Sequence, residues 1–404
     1  MEAARLARTI VVQKFGGSSL ATPELRELAA QRVMAVLDAG KAAVVVTSAM
    51  GRLPAPYATD SLAALAPRAQ AGPNRDLLLA TGEMIAAGVF AELLGERGVP
   101  SLALTGEQAG ILTDKTHGDA AIARVDAARL HALLAAGITP VVAGFQGASA
   151  DGTITTLGRG GSDLTAVALA SSLGDAKLEV FTDVDGVMTA DPRRVVDAHT
   201  IGALTFEELS ELAAHGARVM HDKAAELAHS ARTPLSVRSL RTGFGTEISD
   251  DAFIDHSRPV SGIATMEGYT FVHATPEAAG AKSGWERDAF KKLADAEISI
   301  DCVNVNAAGI FFIVADREYE RAHALFEDGP LALRARRDCA KISIVGAGMR
   351  GTPGVVYRVV DALSRAGVPI IHSTDSNITV SVLVPGSQAG VAETALHDHF
   401  GLKG

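Results

Sequence analysis

The sequence has few aromatic residues and almost no cysteine. Only 4% of its 404 residues are aromatic, and Cys302 and Cys339 are its two cysteines, without CxxC spacing. A disulfide-stapled scaffold and a cysteine-based zinc site are therefore excluded, and a reducing cytoplasmic location is expected. Since hydrophobic residues make up 48% of the chain, the core must be built mainly from Ala, Val, Leu and Ile.

An excess of positive charge and a long apolar run are also missing. The formal net charge of -10 argues against nucleic acid or an anionic membrane as the main partner. No uninterrupted run of about 18 apolar residues occurs, so we expect no membrane-spanning segment. Residues Met1 to Arg8 include Glu2 and no long apolar stretch, so we expect no signal peptide there.

The length exceeds what one hydrophobic core usually serves, so two or three domains are expected. In the first part, apolar runs at Thr9–Gln13 and Ala42–Val46 predict buried strands. Thr22 as N-cap and Pro23 at the first helical position predict a helix, and a second long helix is predicted at about Asp76–Arg97. This alternation indicates a parallel sheet covered by helices on both faces.

The pattern changes after about Asp250. Segments Asp288–Val314 and Lys341–Val384 resemble each other as helix-then-strand units, which predicts a weak internal repeat of small α+β units. The run from Gly346 to Gly351 matches GxGxxG and keeps a dinucleotide-binding dehydrogenase open as an alternative. Only 53 residues follow Gly351, which is too few for a complete nucleotide-binding fold.

Two short motifs follow predicted strands. In Lys14-Phe15-Gly16-Gly17-Ser18-Ser19, paired glycines let backbone N–H groups face one concavity, and the lysine can bridge phosphates. It is not a Walker A loop, because GxxxxGK[ST] does not occur. Thr47-Ser48-Ala49-Met50-Gly51 places hydroxyl groups at the carboxyl end of a strand, where ligands bind in open α/β sheets. A plain tight turn is the alternative for each.

Two further motifs carry opposite charges. Glu83, in Thr81-Gly82-Glu83, lies in an apolar helix, where a carboxylate is costly unless it meets a cation such as a substrate ammonium. A solvated helix face is the alternative. Gly158-Arg159-Gly160-Gly161-Ser162-Asp163 opens a helix and forms an anion site, in which Arg159 can grip a carboxylate bidentately. Asp163 either organises Lys14 or interacts with the helix dipole.

A fifth motif, from Thr182 to Arg193, reads TDVDGVMTADPR, leaves a strand and turns twice. Its acids, glycine and proline could hold a ribose and the polar edge of a nucleotide. A calcium loop is the rival interpretation, but the regular ligand spacing and the closing glutamate are missing.

Together these motifs resemble the aspartate kinase family, within the amino-acid kinase superfamily. The resemblance covers nearly the whole chain, and KISIVGAGMRGTPG from Lys341 resembles the family's second ACT unit. PYATDSL at Pro56 and TDS at Thr374 resemble the diaminopimelate-sensitive subgroup. The resemblance implies an amino-acid kinase fold, an α/β fold with an open, mostly parallel sheet between helices, in residues 1–250. It also implies a regulatory region in 251–404, with two ferredoxin-like ACT units at about 268–338 and 339–404.

The implied activity is ATP-dependent phosphorylation of the L-aspartate side chain to 4-phospho-L-aspartate. This reaction is the first step in the biosynthesis of lysine, diaminopimelate, threonine and methionine. The implied co-substrate is ATP, and the implied metal cofactor is Mg²⁺. The implied catalytic residues are Lys14 and Asp163. The implied substrate-binding residues are Thr47, Ser48, Glu83, Arg159, Gly160, Gly161 and Ser162. The implied nucleotide-binding residues are Lys14, Phe15, Gly16, Gly17, Thr182, Asp183, Met188, Thr189, Ala190, Asp191, Pro192, Arg193 and Arg218.

Two positions depart from the family pattern. Arg218 stands where the family usually has lysine, which keeps the charge but changes its shape. His221-Asp222-Lys223 replaces the usual His-Pro-Arg, and no role is assigned to Asp222 or Lys223. The segment ELAAHGARVMH is expected to form a helix that ends at His221. His221 itself is expected to be a packed residue at the helix end and not a catalyst.

The resemblance also implies feedback control by an amino acid bound between ACT units of a homodimer. The implied effector residues are Ile298, Asp301 and Asn304, with Ile370, Asp375 and Asn377 of a partner subunit. Diaminopimelate is the expected effector, with lysine and threonine as alternatives. Two other functions remain open from sequence: a related amino-acid kinase with another acceptor, and a catalytically dead amino-acid sensor.

Overall fold

The computed structural model describes residues 9–217, 220–250, 257–276, 284–327 and 331–404. These residues divide into two compact units. The first unit comprises 9–187, 200–214 and 220–250. The second comprises 188–199, 215–217, 257–276, 284–327 and 331–404.

The first unit alternates strands and helices. Its helices are α1 (Pro23–Asp38), α2 (Thr59–Leu65), α3 (Pro73–Glu96), α4 (Ala128–Ala135), α5 (Gly161–Ser172), α6 (Phe206–Ala214) and α7 (Asp222–Ala231). Its strands are β1 (Ile10–Phe15), β2 (Ala42–Thr47), β3 (Ser101–Leu104), β4 (Ile111–Thr113), β5 (Ile122–Val125), β6 (Thr139–Ala143), β7 (Gln146–Ala148), β8 (Ile154–Thr156), β9 (Ala176–Thr182), β10 (Ala203–Leu204), β11 (Leu235–Ser239) and β12 (Gly245–Ile248).

Eight strands form a large sheet in the order β10-β12-β11-β9-β1-β2-β6-β3, and β5-β4-β7-β8 form a smaller one. Pairing in the large sheet is parallel except between β11 and β12. Phe15 pairs with Thr47 on one side and with Phe181 on the other. The carboxyl ends of β1, β2 and β9 therefore meet at one edge, which is where ligands bind in such sheets.

Aliphatic residues form most of the core, as the composition predicts, with a few phenylalanines among them. Val33 of α1 and Phe90 of α3 pack in one buried cluster with Val11 of β1. Phe15 stacks on Phe181 with ring centroids 5.0 Å apart. Val12, the neighbour of Val11 on β1, is buried as well. Because successive strand residues face opposite sides, the prediction of a sheet buried on both faces is confirmed.

Helix α3 meets the length and composition required of a membrane span, alone among the helices of the described residues. Its sequence is not an uninterrupted apolar run, because it contains Asp76 and Glu83. Half of its most apolar window is buried inside the protein. Both carboxylates are also buried, at 0% and 2% exposure. Core helices of globular units share these properties, so the composition of α3 is weak evidence for a span.

The second unit has helices α8 (Trp285–Asp295), α9 (Tyr319–Ala324), α10 (Val355–Arg365) and α11 (Ala389–His399). Its strands are β13 (Gly262–Pro276), β14 (Asp301–Asn306), β15 (Gly309–Ala315), β16 (Leu331–Val345), β17 (His372–Asp375) and β18 (Thr379–Pro385). They form one sheet in the order β14-β15-β13-β16-β18-β17, and every pairing is antiparallel.

The predicted internal repeat is present in this sheet. The series α8-β14-β15-α9 recurs as α10-β17-β18-α11, and each half has its own buried cluster. The long strands β13 and β16 run through both halves, so Gly262–Glu267 pairs with Ala340–Val345 in the second half. A Cβ at Gly346 would lie 2.1 Å from Pro259 O. That glycine therefore serves backbone packing beside an antiparallel strand, which removes the dehydrogenase alternative.

Three element boundaries differ from the sequence expectation. Lys14 lies inside β1, since pairing with β2 and β9 continues to Phe15. Helix α3 begins at Pro73 because proline fits the first helical position. The prediction that a helix ends at His221 was wrong, because α6 ends at Ala214 and Gly216 adopts a positive φ of 105°. His221 instead precedes α7.

Candidate active site

A cavity of about 310 Å³ lies at the edge where β1, β2 and β9 end. Its lining residues are Lys14, Gly16, Gly17, Ser18, Ser48, Ala49, Gly51, Arg52, Thr59, Val180, Phe181, Thr182 and Asp183. The cavity therefore brings together three predicted motifs: KFGGSS, TSAMG and the start of TDVDGVMTADPR.

Lys14 is held by an ion pair at this cavity. Its Nζ atom lies 2.6 Å from Oδ1 of Asp163, which belongs to the first turn of α5. The two side chains are only 11% and 13% exposed. Two roles were considered for Asp163, and this pairing supports the one in which it organises Lys14. The ammonium group is thereby fixed beside the glycine turn, where it can meet phosphate oxygens.

The glycine turn is packed against the loop that follows β2. A Cβ at Gly17 would lie 2.5 Å from Ala49 O and 2.8 Å from Gly51 O. Gly51 N also donates a hydrogen bond of 2.9 Å to Gly17 O. The two loops are in backbone contact, so glycine is required for their approach and the motif is more than an isolated turn.

Glu83 is buried beside the same loop, so the alternative interpretation, in which it lies on a solvated helix face, is wrong. Its Oε1 atom accepts a hydrogen bond of 3.1 Å from the N–H of Ala49, which lines the cavity. Its Oε2 atom is buried and has no hydrogen-bond partner within the described ranges. Burial raises the pKa of Glu83 to about 8, although the Ala49 N–H opposes that change. The site thus contains a buried carboxyl group with one unused oxygen, and a bound cation would favour its ionised form.

Gly82 explains how α3 approaches so closely. A Cβ at Gly82 would lie 2.9 Å from both Ala49 Cβ and Tyr57 O. Glycine inside a helix costs stability, and the cost is offset here by bringing the Glu83 carboxyl group to the Ala49 backbone.

The Arg159 loop, Gly158–Gly161, joins β8 to α5. Gly158 and Gly160 have positive φ values of 73° and 72°, which favour glycine. Arg159 is exposed and has no hydrogen-bond or ion-pair partner among the described residues. Its guanidinium group is therefore available to a ligand, as the anion-site interpretation requires.

The other predicted substrate residues are placed less uniformly. Ser48 lines the cavity, whereas Thr47 is fully buried and its hydroxyl donates to Val142 O at 3.4 Å. Ser162 is buried, and a Cβ at Gly144 would lie 2.9 Å from its Oγ atom. Gly161 is also buried in the first turn of α5.

The predicted nucleotide residues fall into different parts of the structure. Thr182 and Asp183 line the cavity, and Asp183 lies 3.5 Å from Arg52. The ring of Phe15 is fully buried, so only its backbone could contact a ligand. Arg218 lies outside the described residues.

The remaining predicted nucleotide residues, Met188–Arg193, belong to the second unit. There, Thr189 Oγ1 lies 3.0 Å from His397 Nε2, and Asp191 N donates to Glu393 Oε1 at 3.3 Å. Arg193 makes two hydrogen bonds to the Asp191 carboxylate, which lower the pKa of that group. Their role at the nucleotide stays a prediction.

The predicted effector residues surround the edge strands of the second unit. Asp301 forms an ion pair with Lys341, whose side chain is only 3% exposed. Asn304 accepts a hydrogen bond of 2.8 Å from Asn306. Ile298 is buried and Ile370 is half-buried, and the exposed residues are Asp375 and Asn377. An effector ammonium at Asp301 would share that carboxylate with Lys341.

Sequence reasoning missed several residues around the Arg159 loop. His221 packs so closely that a Cβ at Gly160 would lie 2.2 Å from its Cβ. Lys223 pairs with Asp119 at 2.6 Å, and Asp119 lies against Gly158. The HDK departure from the family pattern was the available signal, but its meaning depends on contacts across more than a hundred residues of chain.

Comparisons with known proteins identify the family. The amino acid kinase family matches residues 9–239, and the ACT domain family matches residues 342–400. Aspartokinase 1 of Bacillus subtilis (strain 168) is 40% identical, covering 97% of this chain and 99% of the relative. An aspartokinase of Geobacillus stearothermophilus is 37% identical, covering 97% of each chain.

A solved structure has the same fold. It is aspartokinase III of E. coli in complex with aspartate and ADP, with a TM-score of 0.79. The match covers 96% of this chain and 99% of that one at 24% sequence identity. The two proteins share the fold, an amino-acid kinase architecture followed by an ACT region.

Proposed function

The chain belongs to the aspartokinase family and is an aspartate kinase, and we propose that Lys14, Glu83 and Arg159 carry its reaction. ATP is the co-substrate, and the acceptor is the side-chain carboxylate of L-aspartate. Lys14 and the glycine turn would hold the phosphates. Glu83 would bind the aspartate ammonium and Arg159 its α-carboxylate. A kinase with another acceptor and a dead sensor are both disfavoured by the family membership.

The observation that carries this proposal is the unpartnered oxygen of Glu83. A buried carboxyl group with one unused acceptor is costly unless a ligand satisfies it. Ala49 connects this group to the cavity, because its N–H binds Glu83 while the residue itself lines the wall. A cation bound there would lie close to the phosphate turn.

The reaction needs no general base, because the side-chain carboxylate of aspartate is already ionised at neutral pH. One carboxylate oxygen attacks the γ-phosphorus, the bond from phosphorus to the bridging oxygen breaks, and ADP leaves with its electron pair. The product is an acyl phosphate, 4-phospho-L-aspartate. Catalysis then consists of positioning and charge stabilisation, which Lys14 and the turn amides supply.

Magnesium is proposed to enter with the nucleotide. No group of three or more His, Cys, Asp or Glu side chains suited to a metal occurs in the described part of the chain. Mg²⁺ usually keeps several waters and binds through substrate phosphates and one or two carboxylates. Asp183 lines the cavity and is a carboxylate of that kind. The ion would supply neutralisation of phosphate charge.

A hydroxamate-trapping assay tests the activity directly, since hydroxylamine captures an acyl phosphate. With ATP, Mg²⁺ and L-aspartate we expect hydroxamate to form, and with L-glutamate or N-acetylglutamate we expect little. Absence of product with aspartate, or faster product formation with another acceptor, would overturn the proposal.

Regulation is proposed to act through the second unit, with diaminopimelate as the effector and lysine or threonine as alternatives. ACT homology at 342–400 supports amino-acid binding, and we propose a homodimer formed through these units in the cytoplasm. Inhibition curves with each amino acid test the effector. Sedimentation of the full chain tests the dimer, and a monomer at all concentrations would contradict it.

A further inference from the structure

Asp76 is a fully buried carboxylate that the proposed chemistry does not use. It lies in the first turn of α3 and is 0% exposed. Its Oδ2 atom accepts hydrogen bonds from His117 Nδ1 at 2.7 Å, Thr156 N at 3.1 Å and Gly118 N at 3.2 Å. Its Oδ1 atom accepts from Thr156 Oγ1 at 2.7 Å. Four donors from two separate segments make this group a strong connector between them.

Both of those segments support the Arg159 loop. Thr156 ends β8, two residues before Gly158. Ala120 N donates to Thr156 O at 2.8 Å, so the two segments lie side by side. A Cβ at Gly158 would lie 2.4 Å from Asp119 Oδ1 and 3.2 Å from Gly118 O. The loop therefore rests on residues 118–120, which Asp76 fixes through Gly118.

Arg159 depends on its backbone for placement. Its side chain is exposed, and no hydrogen bond or ion pair from the described residues fixes the guanidinium group. Its position is set by the conformation of Gly158 and Gly160. A shift of that backbone would move the guanidinium group with it.

Helix α3 connects this support to the other proposed anchor. Glu83 follows Asp76 by seven residues, which is two turns and roughly 10 Å along the same helix face. Asp76 binds the end of β8, and Glu83 binds Ala49 in the loop after β2. One rigid helix thus sets the separation of the two loops.

We propose that Asp76, together with His117, is a positioning residue that fixes the Arg159 loop relative to Glu83. The proposal rests on the proposed function, in which Arg159 and Glu83 bind the two charged groups of aspartate. Asp76 would thereby determine how well the site fits an α-amino acid, without touching it.

Thr156 offers the mildest test. Thr156→Val is nearly isosteric and removes the hydroxyl donor to Asp76 Oδ1, whereas Thr156→Ser keeps it. We expect Thr156→Val and Asp76→Asn to raise the KM for aspartate about tenfold, because small misplacements of binding groups are costly. We expect the KM for ATP to change little and Thr156→Ser to behave like the parent. Asp175→Asn is the control, since it removes one exposed carboxylate of the same unit.

His117 gives an independent pair of variants. His117→Asn keeps a donor near the position of Nδ1, whereas His117→Ala removes it. We expect the alanine variant to raise the KM for aspartate and the asparagine variant to restore most of the loss.

A double-mutant cycle separates positioning from general damage. If Asp76 acts through Arg159, Asp76→Asn should have little further effect on the aspartate KM in an Arg159→Ala background. Full additivity, an equal rise of both KM values, or an unchanged aspartate KM in Thr156→Val would overturn the inference. If Arg159→Ala alone left the aspartate KM unchanged, the proposed function itself would fail.

Discussion

Lys14 Nζ lies 2.6 Å from Asp163 Oδ1, and this ion pair joins strand β1 to the first turn of helix α5. The two residues are separated by most of the kinase unit in sequence. Their pairing places a fixed positive charge in the same cavity as Gly16 and Gly17.

Replacing Lys14 should affect turnover more than substrate affinity. Lys14→Ala is expected to lower kcat by about a hundredfold or more, because one charge that stabilises a transition state is worth that much. The KM for aspartate should change far less. Steady-state kinetics measure both, with Lys41→Ala as a control for the loss of an exposed lysine. Small and equal effects on kcat and KM would contradict the role of Lys14.

Replacing Arg159 should weaken aspartate selectively. Arg159→Ala is expected to raise the KM for aspartate by about tenfold or more, since a bidentate, charge-assisted contact is lost. Arg159→Lys should recover only part, because lysine lacks the planar fork. The melting temperature should stay the same, as the side chain is exposed and has no partner in the described part of the chain. Arg124→Ala is the exposed arginine control, and similar kinetics for both variants would exclude the assigned role.

Aspartate binding should release a proton from Glu83. With a pKa of about 8, this carboxyl group is mostly protonated at pH 7 in the free protein. An ammonium ligand favours the ionised form, so binding should release about one proton. Calorimetry in buffers of different ionisation enthalpy measures that number. Glu83→Gln should release none, and parent protein that released none would rule out contact between Glu83 and the ammonium.

Glu83 should also make stability depend on pH. Its pKa rises from an ordinary value of 4.5 to about 8 on folding. Between these values the folded state holds more protons than the unfolded state, so the free energy of unfolding falls as pH rises. In Glu83→Gln this fall should be smaller. Denaturant titrations of both proteins between pH 5 and pH 9, chosen to span that window, provide the comparison, and parallel curves would count against the raised pKa.

Replacing two glycines of α3 by alanine should change the stability of the protein in opposite directions. Gly88 has nothing within 4 Å of its Cβ position, so Gly88→Ala should raise stability by up to about 1 kcal/mol through helix propensity. Gly82→Ala would meet Ala49 Cβ and Tyr57 O at 2.9 Å, which should displace α3 from that loop. We expect lower stability and a higher aspartate KM. Thermal unfolding and steady-state kinetics test both variants. If the two variants had the same stability and the same aspartate KM, the close packing of Gly82 against the Ala49 loop would not matter.

The parts of the site predicted from sequence are those with local signals. Lys14 with Gly16 and Gly17, and Arg159 between two glycines, combine charge with unusual backbone needs at strand or helix ends. The rule that ligands bind at the carboxyl ends of parallel strands predicts the cavity beside Lys14, whereas Arg159 follows β8 of the smaller sheet and was identified from its glycines and charge alone. Glu83 was identified for a related reason, since a carboxylate among apolar residues requires a partner.

The parts that were missed depend on distant contacts. Asp76 lies in the first turn of a helix, where an acidic residue usually interacts with the helix dipole. Its burial depends on Thr156, 80 residues away. Met188–Arg193 belong to the same sequence motif as Thr182, and no local signal predicts that they pack with His397 and Glu393 of the second unit.

The most direct test of the two-anchor site is a crystal structure of the protein with L-aspartate and ADP. We predict the aspartate ammonium within hydrogen-bond distance of Glu83, its α-carboxylate paired with Arg159, and phosphate oxygens beside Lys14 and Gly17. Aspartate bound away from either anchor, or a nucleotide whose phosphates lie outside the Lys14 cavity, would contradict the account.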